Sequence, residues 1–292
     1  MNQILKLSVL ISIIFASGCK SDKHMNTDLK APSAEKQAKS LTIHNSTRID
    51  NYFWMRLTDE QKTAKKKDVQ TQKVEAYLNS ENEYFDKVTA STNNFQKELF
   101  EEMKGRIKED DTSVPYFRNN YFYITRFEKG SQYPIYSRKK ESLEVDEEIL
   151  FDVNQEAQEH EYFQLGALNV SPDNKLVAFA TDTVSRRQYT IQIKNLETGE
   201  LLTDKIENTT GGSVWSNDNK TLFYTKKDPL TLRSSSIYRH ILGTDASEDV
   251  IVFEEKDETY STYVYKTKSH KFIVIGSSST LSSEFRIISA DK

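Results

Sequence analysis

The chain has 292 residues, of which 29% are charged and 11% aromatic, with a formal net charge of −4. Such a composition excludes a disordered chain, favours strands, and offers no basic excess of the kind nucleic-acid binding uses. A single cysteine, Cys19, excludes an intrachain disulfide and any multi-cysteine zinc site.

In chain order, Lys6 precedes an apolar run, Leu7 to Ala16, and then Ala16-Ser17-Gly18-Cys19. The run is too short to span a bilayer and fits an export signal. The small residues before Cys19 resemble a bacterial lipobox. Residues 1–18 are therefore expected to be a signal peptide, and Cys19 the lipidated first residue of a protein held in the bacterial cell envelope. An ordinary secretory signal with an incidental cysteine is the other reading. Residues 19–40 are polar, without core signals, and read as a flexible tether.

Residues 41–112 form the next unit. Tyr52, Phe53 and Trp54 stand in a row and suggest an irregular docking segment. Over 69–88 the apolar positions Val74, Tyr77, Leu78, Tyr84, Phe85 and Val88 recur at helical spacing. Ser91, Thr92 and Asn93 offer N-caps for a second helix, whose face is Phe95, Leu99, Phe100, Met103 and Ile107 and whose end is near Gly105. Lys62, Lys65, Lys66 and Lys67 form a basic cluster that a solvated loop or helix end explains.

From residue 113 to 292 the period becomes two. Strands are expected at 121–126, 133–137, 149–153, 166–170, 176–181, 189–195, 213–215, 221–225, 237–240, 250–254, 263–267, 272–276 and 285–289. Two stretches repeat each other 45 residues apart: Val170-Ser171-Pro172-Asp173-Asn174-Lys175 and Trp215-Ser216-Asn217-Asp218-Asn219-Lys220, each feeding an apolar strand. Asp and Asn suit such turns because they bond local backbone and tolerate left-handed dihedrals. A 45-residue strand repeat is the mark of a propeller blade. Blades are expected near 116–160, 167–210, 213–258 and 262–292. The fold class is thus mainly β with a short helical N-terminal arm, the β part being about four blades of an incomplete propeller.

Longer segments align with a known family. Asp50-Asn51-Tyr52-Phe53-Trp54-Met55-Arg56, the helix segment Tyr77-Leu78…Glu81-Asn82…Tyr84, and Glu102-Met103…Arg106-Ile107 followed by Ser113-Val114-Pro115 carry the likeness. Gly130, Tyr133-Pro134 and Tyr136-Ser137-Arg138 continue it, as do Arg239-His240, Leu242-Gly243-Thr244 and Glu254-Glu255-Lys256-Asp257. Over about 41–292 the chain resembles the N-terminal part of the oligopeptidase B group of the prolyl oligopeptidase family of serine peptidases. The resemblance implies a seven-bladed propeller that restricts an α/β-hydrolase domain to short peptides, cleavage after Arg or Lys, and no cofactor or metal. It also implies that the helical arm packs on the hydrolase domain.

The family's nucleophile elbow is G-x-S-x-G. No two of the nine glycines here stand four apart, so neither that motif nor any triad residue is carried over, and the hydrolase domain is expected to be absent from this sequence. Catalytic, cofactor and metal residues are all read as none; peptides, and the membrane through Cys19, are the expected partners. His24, His44, His160, His240 and His270 are scattered, and none lies in H-E-x-x-H. His240, beside Arg239, is read as a packed strand residue. Glu141, Glu144, Asp146, Glu147 and Glu148 form an acidic loop, either plain solvated charge or a lure for cationic peptides. Arg186-Arg187 is read as making bonds within a blade. Two functions are thus expected: the gating part of a serine peptidase, inactive alone, or a non-enzymatic envelope lipoprotein whose blades bind a peptide or protein.

Overall fold

The structure, a computed structural model, describes residues 29–291. The signal-peptide reading of residues 1–18, the lipidation of Cys19, and His24 lie outside the described residues. Two compact units divide after Ile107.

The first unit opens with a hairpin that the sequence reading did not anticipate: β1 (Lys39–Ile43) against β2 (Ser46–Asp50). Its two-residue turn is His44-Asn45, both with positive φ (50° and 61°), the twist that suits a tight hairpin. The aromatic segment forms a single turn of 3₁₀ helix, Phe53–Met55. Trp54 Nε1 donates to the Glu35 carbonyl at 2.9 Å, and Gln70 Nε2 donates to the Trp54 carbonyl at 2.7 Å. Thr58 and Gln61 close a capping box on the short helix Asp59–Thr63. Asp68 caps the long helix Val69–Thr89, accepting from Thr71 N at 2.7 Å. The second predicted helix runs Asn93–Gly105 and ends at the expected glycine. Phe95, Phe100 and Met103 on it are exposed among the described residues.

The second unit is built of antiparallel strands. The first sheet orders β3 (Tyr116–Arg118), β4 (Tyr121–Arg126), β5 (Ile135–Lys140) and β6 (Glu148–Asp152). A seven-stranded sheet follows: β7 (Gln164–Val170), β8 (Leu176–Asp182), β9 (Tyr189–Asn195), β10 (Leu201–Trp215), β11 (Thr221–Lys227), β12 (Ser234–Ile241) and β13 (Val250–Glu254). A three-stranded sheet ends the unit: β14 (Ser261–Lys266), β15 (Phe272–Ser278) and β16 (Ser283–Ser289).

The seven-stranded sheet is two blades joined by one strand. Residues 201–209 of β10 pair with β9, whereas Ser213, Val214 and Trp215 pair with β11. The register breaks between Thr209 and Ser213, where Gly211 takes φ +87°. The outer strand of the second blade thus becomes the innermost strand of the third without a loop. The sequence reading found only 213–215 here, because Asp204 stands at a buried position of the outer strand and breaks its alternation.

Blades pack face to face, so their second strands are buried on both sides. Along β8 and β11 the apolar run is nearly continuous: Val177, Ala178, Phe179 and Ala180, and Leu222, Phe223 and Tyr224, are all buried. Three apolar clusters fill the three blade junctions. Phe179 meets Phe151 of the first blade at 4.9 Å between ring centroids, while Ala178 and Ala180 join Trp215, Leu222 and Tyr224 in the cluster between the second and third blades. Phe223, on the opposite face of β11, packs with Ile273 and Ala290 of the fourth. Each large apolar side chain so buried contributes about 1.5–3 kcal/mol.

Candidate functional site

The first strand of each blade lies nearest the common axis: β3, β7, the end of β10, and β14. The last three end in turns built alike. Ser171 N donates to Leu176 O at 2.8 Å, Ser216 N to Thr221 O at 2.9 Å, and Thr267 N to Phe272 O at 2.9 Å. A positive φ falls at the matching position in these three turns, Asn174 (64°), Asn219 (60°) and His270 (59°), whereas β3 and β4 are joined by a two-residue turn, Asn119-Asn120, with both φ positive (46° and 64°). The repeat visible in the sequence as two copies is therefore three in space. The Thr267-Lys268-Ser269-His270 copy is hidden because His replaces the Asn.

Neighbouring turns are tied together. Asn174 Nδ2 donates to Asn119 O at 3.2 Å, Asp173 N to Asn219 Oδ1 at 2.9 Å, and Asn217 Nδ2 to His270 O at 2.9 Å. Carbonyls on the innermost strands are capped by side chains of the adjacent blade or strand: Asn169 O by Trp215 Nε1 (2.8 Å), Ser213 O by Asn169 Nδ2 (2.9 Å), and Trp215 O by Lys266 Nζ (3.0 Å). Such capping satisfies an otherwise open strand edge.

These four strands form one wall of an axial channel of about 740 Å³ that is open on its far side. Its wall carries Tyr116, Phe117 and Tyr265, and at the turn end it carries Arg118, Lys266 and His270. Burial and then the charge of Arg118 hold Lys266 below the usual lysine range. His270 is lowered too, by burial first, then by Arg118 and Lys266. A second crevice, of about 500 Å³, lies between the first two blades beside Phe151, Phe179 and His160, with the His160 ring 5.6 Å from that of Phe163.

The other residues singled out in the sequence are dispersed. His44 sits in the β1–β2 turn, remote in sequence from the blades. His240 is wholly buried: its Nε2 lies 2.9 Å from Asp204 Oδ1 and its Nδ1 2.7 Å from Asp249 Oδ1. Tyr224 Oη donates to Asp249 Oδ2 at 2.8 Å, and burial, then that bond, push its pKa far up. This network has the carboxylate–imidazole pairing of a hydrolytic triad, but both ring nitrogens are occupied by carboxylates and no nucleophile faces them. It ties the second blade to the third by joining Asp204 on the outer half of β10 to His240 on β12 and to the Asp249 turn.

In the acidic loop, Glu147 pairs with Arg126 at 3.0 Å and Glu148 with the buried Arg138 at 2.8 Å, so two of the five acids already have cationic partners. Arg187 contributes backbone: its N donates to Asp182 Oδ2 at 2.6 Å, and its carbonyl accepts from Lys227 Nζ. In the lysine cluster, Lys62 pairs with Asp59 and Lys67 with Glu75. Among the described residues, no group of three or more His, Cys, Asp or Glu is placed to hold a metal ion. Sequence reading missed Arg118 and Lys266. Their one local signal is position, each being the last residue of an innermost strand.

Radial sheets of three or four strands along an axial channel define a partial β-propeller. The sequence matches the family described as the prolyl oligopeptidase N-terminal β-propeller domain over residues 32–292, and the chain belongs to that family. It is 41% identical to dipeptidyl aminopeptidase BI of Pseudoxanthomonas mexicana over 258 residues, which are 83% of this chain and 34% of that protein. It is 32% identical to protease 2 of Moraxella lacunata, covering 90% of this chain and 37% of the relative. The fold superposes on oligopeptidase B from Leishmania major with TM-score 0.79 and 31% identity, over 90% of this chain and 38% of that one. For the closed form of the Trypanosoma brucei enzyme with covalently bound antipain the values are 0.77 and 25%, over 89% of this chain and 38% of that one. The chain spans about a third of the length of the curated relatives it matches.

Proposed function

We propose that this chain supplies the arm and four gating blades of a serine peptidase that admits short peptides and cleaves them after Arg or Lys. The observation that carries the reading is the axial channel, a passage walled by aromatic side chains and capped strand edges, in a chain whose relatives are named as peptidases. The chemistry would be a Ser–His–Asp acyl-enzyme route run by a hydrolase domain outside these residues. In this division of labour the blades sieve peptides and the exposed Phe95, Phe100 and Met103 face docks on the hydrolase domain. Alone, the chain is inactive. Residues 19–292 incubated with a fluorogenic Arg-Arg peptide should give no turnover. Turnover abolished by a serine-directed phosphonate would refute the assignment of chemistry elsewhere.

A second reading rests on the Leu7–Ala16 run and Cys19. In it the chain is a lipid-anchored envelope protein whose blades bind a peptide without cleaving it. Mass spectrometry of the N-terminal peptide after export decides the anchor: a diacylglyceryl mass on Cys19 supports it, and a free thiol rejects it.

A further inference from the structure

We propose that the turn-side end of the axial channel is a carboxylate site, where Arg118, Lys266 and Lys268 hold the free C-terminus of a peptide lying along the aromatic wall. This rests on the peptide-channel reading above and adds to it the group recognised and the direction in which a peptide lies.

Four observations converge. First, the cations at this end have no carboxylate partner. Three other arginines of the blades pair with carboxylates: Arg126 with Glu147 and Glu128, Arg138 with Glu148, and Arg286 with Glu284. Among the described residues no carboxylate stands in ion-pair range of Arg118, Lys266 or Lys268, although all three line the channel.

Second, the acids close enough to act on Lys266 are committed elsewhere. Asp218 accepts from Lys220 N and Thr221 N at 2.9 Å and from Thr221 Oγ1 at 2.6 Å. Asp291 Oδ1 accepts from Asn217 Nδ2 at 2.6 Å. They soften the local field without filling it.

Third, donors are left over for an anion. Lys266 spends one of its three N–H donors on Trp215 O. Because the neighbouring innermost-strand carbonyls are capped, the wall here offers few acceptors to a cation. Fourth, like charges crowd: Arg118 disfavours the protonated forms of both Lys266 and His270. An anion seated among them relieves that repulsion beside the half-buried Lys266 and His270. The channel volume also lies within the 300–1,000 Å³ or so typical of ligand sites.

A C-terminal carboxylate fits better than an isolated oxyanion because Tyr116, Phe117 and Tyr265 extend from the cations along the channel and give apolar purchase to the residues preceding that terminus. The test titrates the full chain calorimetrically with N-acetyl-Tyr-Gly-Ala as the free acid, with its C-terminal amide, and with inorganic phosphate. The free acid should bind about tenfold tighter than the amide, the scale of a charge-assisted hydrogen bond. In Arg118→Gln/Lys268→Gln, which removes two exposed side chains that make no hydrogen bond or ion pair among the described residues, the advantage should fall below about twofold while the melting temperature holds. Equal binding of acid and amide would overturn the carboxylate site and leave the peptide channel standing. Binding of neither would sink both. Phosphate binding as tightly as the free acid would show a site for free oxyanions and overturn the peptide assignment. An acid preference that survives in the double variant would remove Arg118 and Lys268 from it.

Discussion

Replacing His240 by Leu tests whether the buried imidazole is a brace or a remnant of chemistry. Its side chain is 0% exposed, and those of Asp204 and Asp249 are 3% and 1% exposed. Without the ring, Asp204 keeps the Gly243 amide at 2.6 Å and Asp249 keeps the Tyr224 hydroxyl at 2.8 Å, but both lose their cationic-capable partner. Removing one member of a buried ionic network costs about 3–5 kcal/mol, because the remaining charge is stranded in a medium that solvates it poorly. Against a typical domain stability of about 5–15 kcal/mol that is a large share. Urea unfolding followed by tryptophan fluorescence should show the loss as a lower midpoint at unchanged slope. Because the penalty is stranded charge rather than lost volume, adding Asp204→Asn and Asp249→Asn to the Leu variant should recover much of it. A loss below about 1 kcal/mol in the single variant, or no recovery in the triple, would refute the reasoning.

Further outcomes follow from the same geometry. Gly211→Ala sets a Cβ 2.9 Å from Tyr189 Cγ at φ +87°, adding about 1–2 kcal/mol of backbone strain to about 1–3 of overpacking; Gly166→Ala, against the same ring at 2.9 Å without positive φ, should cost only the second part, measured by the same unfolding assay. Phe223→Ala opens the junction of the third and fourth blades and should destabilise by about 3–5 kcal/mol, with earlier proteolysis of 261–289 than of 164–195. In Arg118→Gln, the His270 titration followed by proton NMR should move up from its depressed position while staying below 6.5, since burial, its larger cause, is untouched; an unmoved titration would place Arg118 away from it. Asp218, although opposed by burial, is held below the usual carboxylate range by the Thr221 hydroxyl and two amides, so its contribution is present above the unfolded pKa and lost as pH falls through the folded one. Asp218→Asn should therefore be destabilising at pH 7, and the difference should fade as the pH drops below about 4.

Much of the blade architecture could be read locally. Phe95, Leu99, Phe100 and Met103 show helical spacing, and that helix runs Asn93–Gly105. The alternation in 189–195 returns as β9 with the same bounds. The β1–β2 hairpin escaped because Lys39, Ser40 and Thr42 carry little apolar signal; its marker was the positive-φ pair His44-Asn45. The outer half of β10 escaped because Asp204 sits at a buried position where an apolar residue was sought. Asp204 is nonetheless buried, since it serves His240, which lies on another strand of the adjoining blade.

By itself the sequence determined what depends on neighbours a few residues apart: helices from a 3.6 period, strands from a 2.0 period, and turns from Asp and Asn. Tertiary structure alone decided which strands share a sheet, where one strand serves two blades, and which side chains meet. Arg118 and His270 stand about 150 residues apart in the chain, yet the charge of one depresses the titration of the other. The reason is geometric. A blade repeat returns the chain to the axis every 40–45 residues or so, and only that return sets the ends of the innermost strands around a common channel.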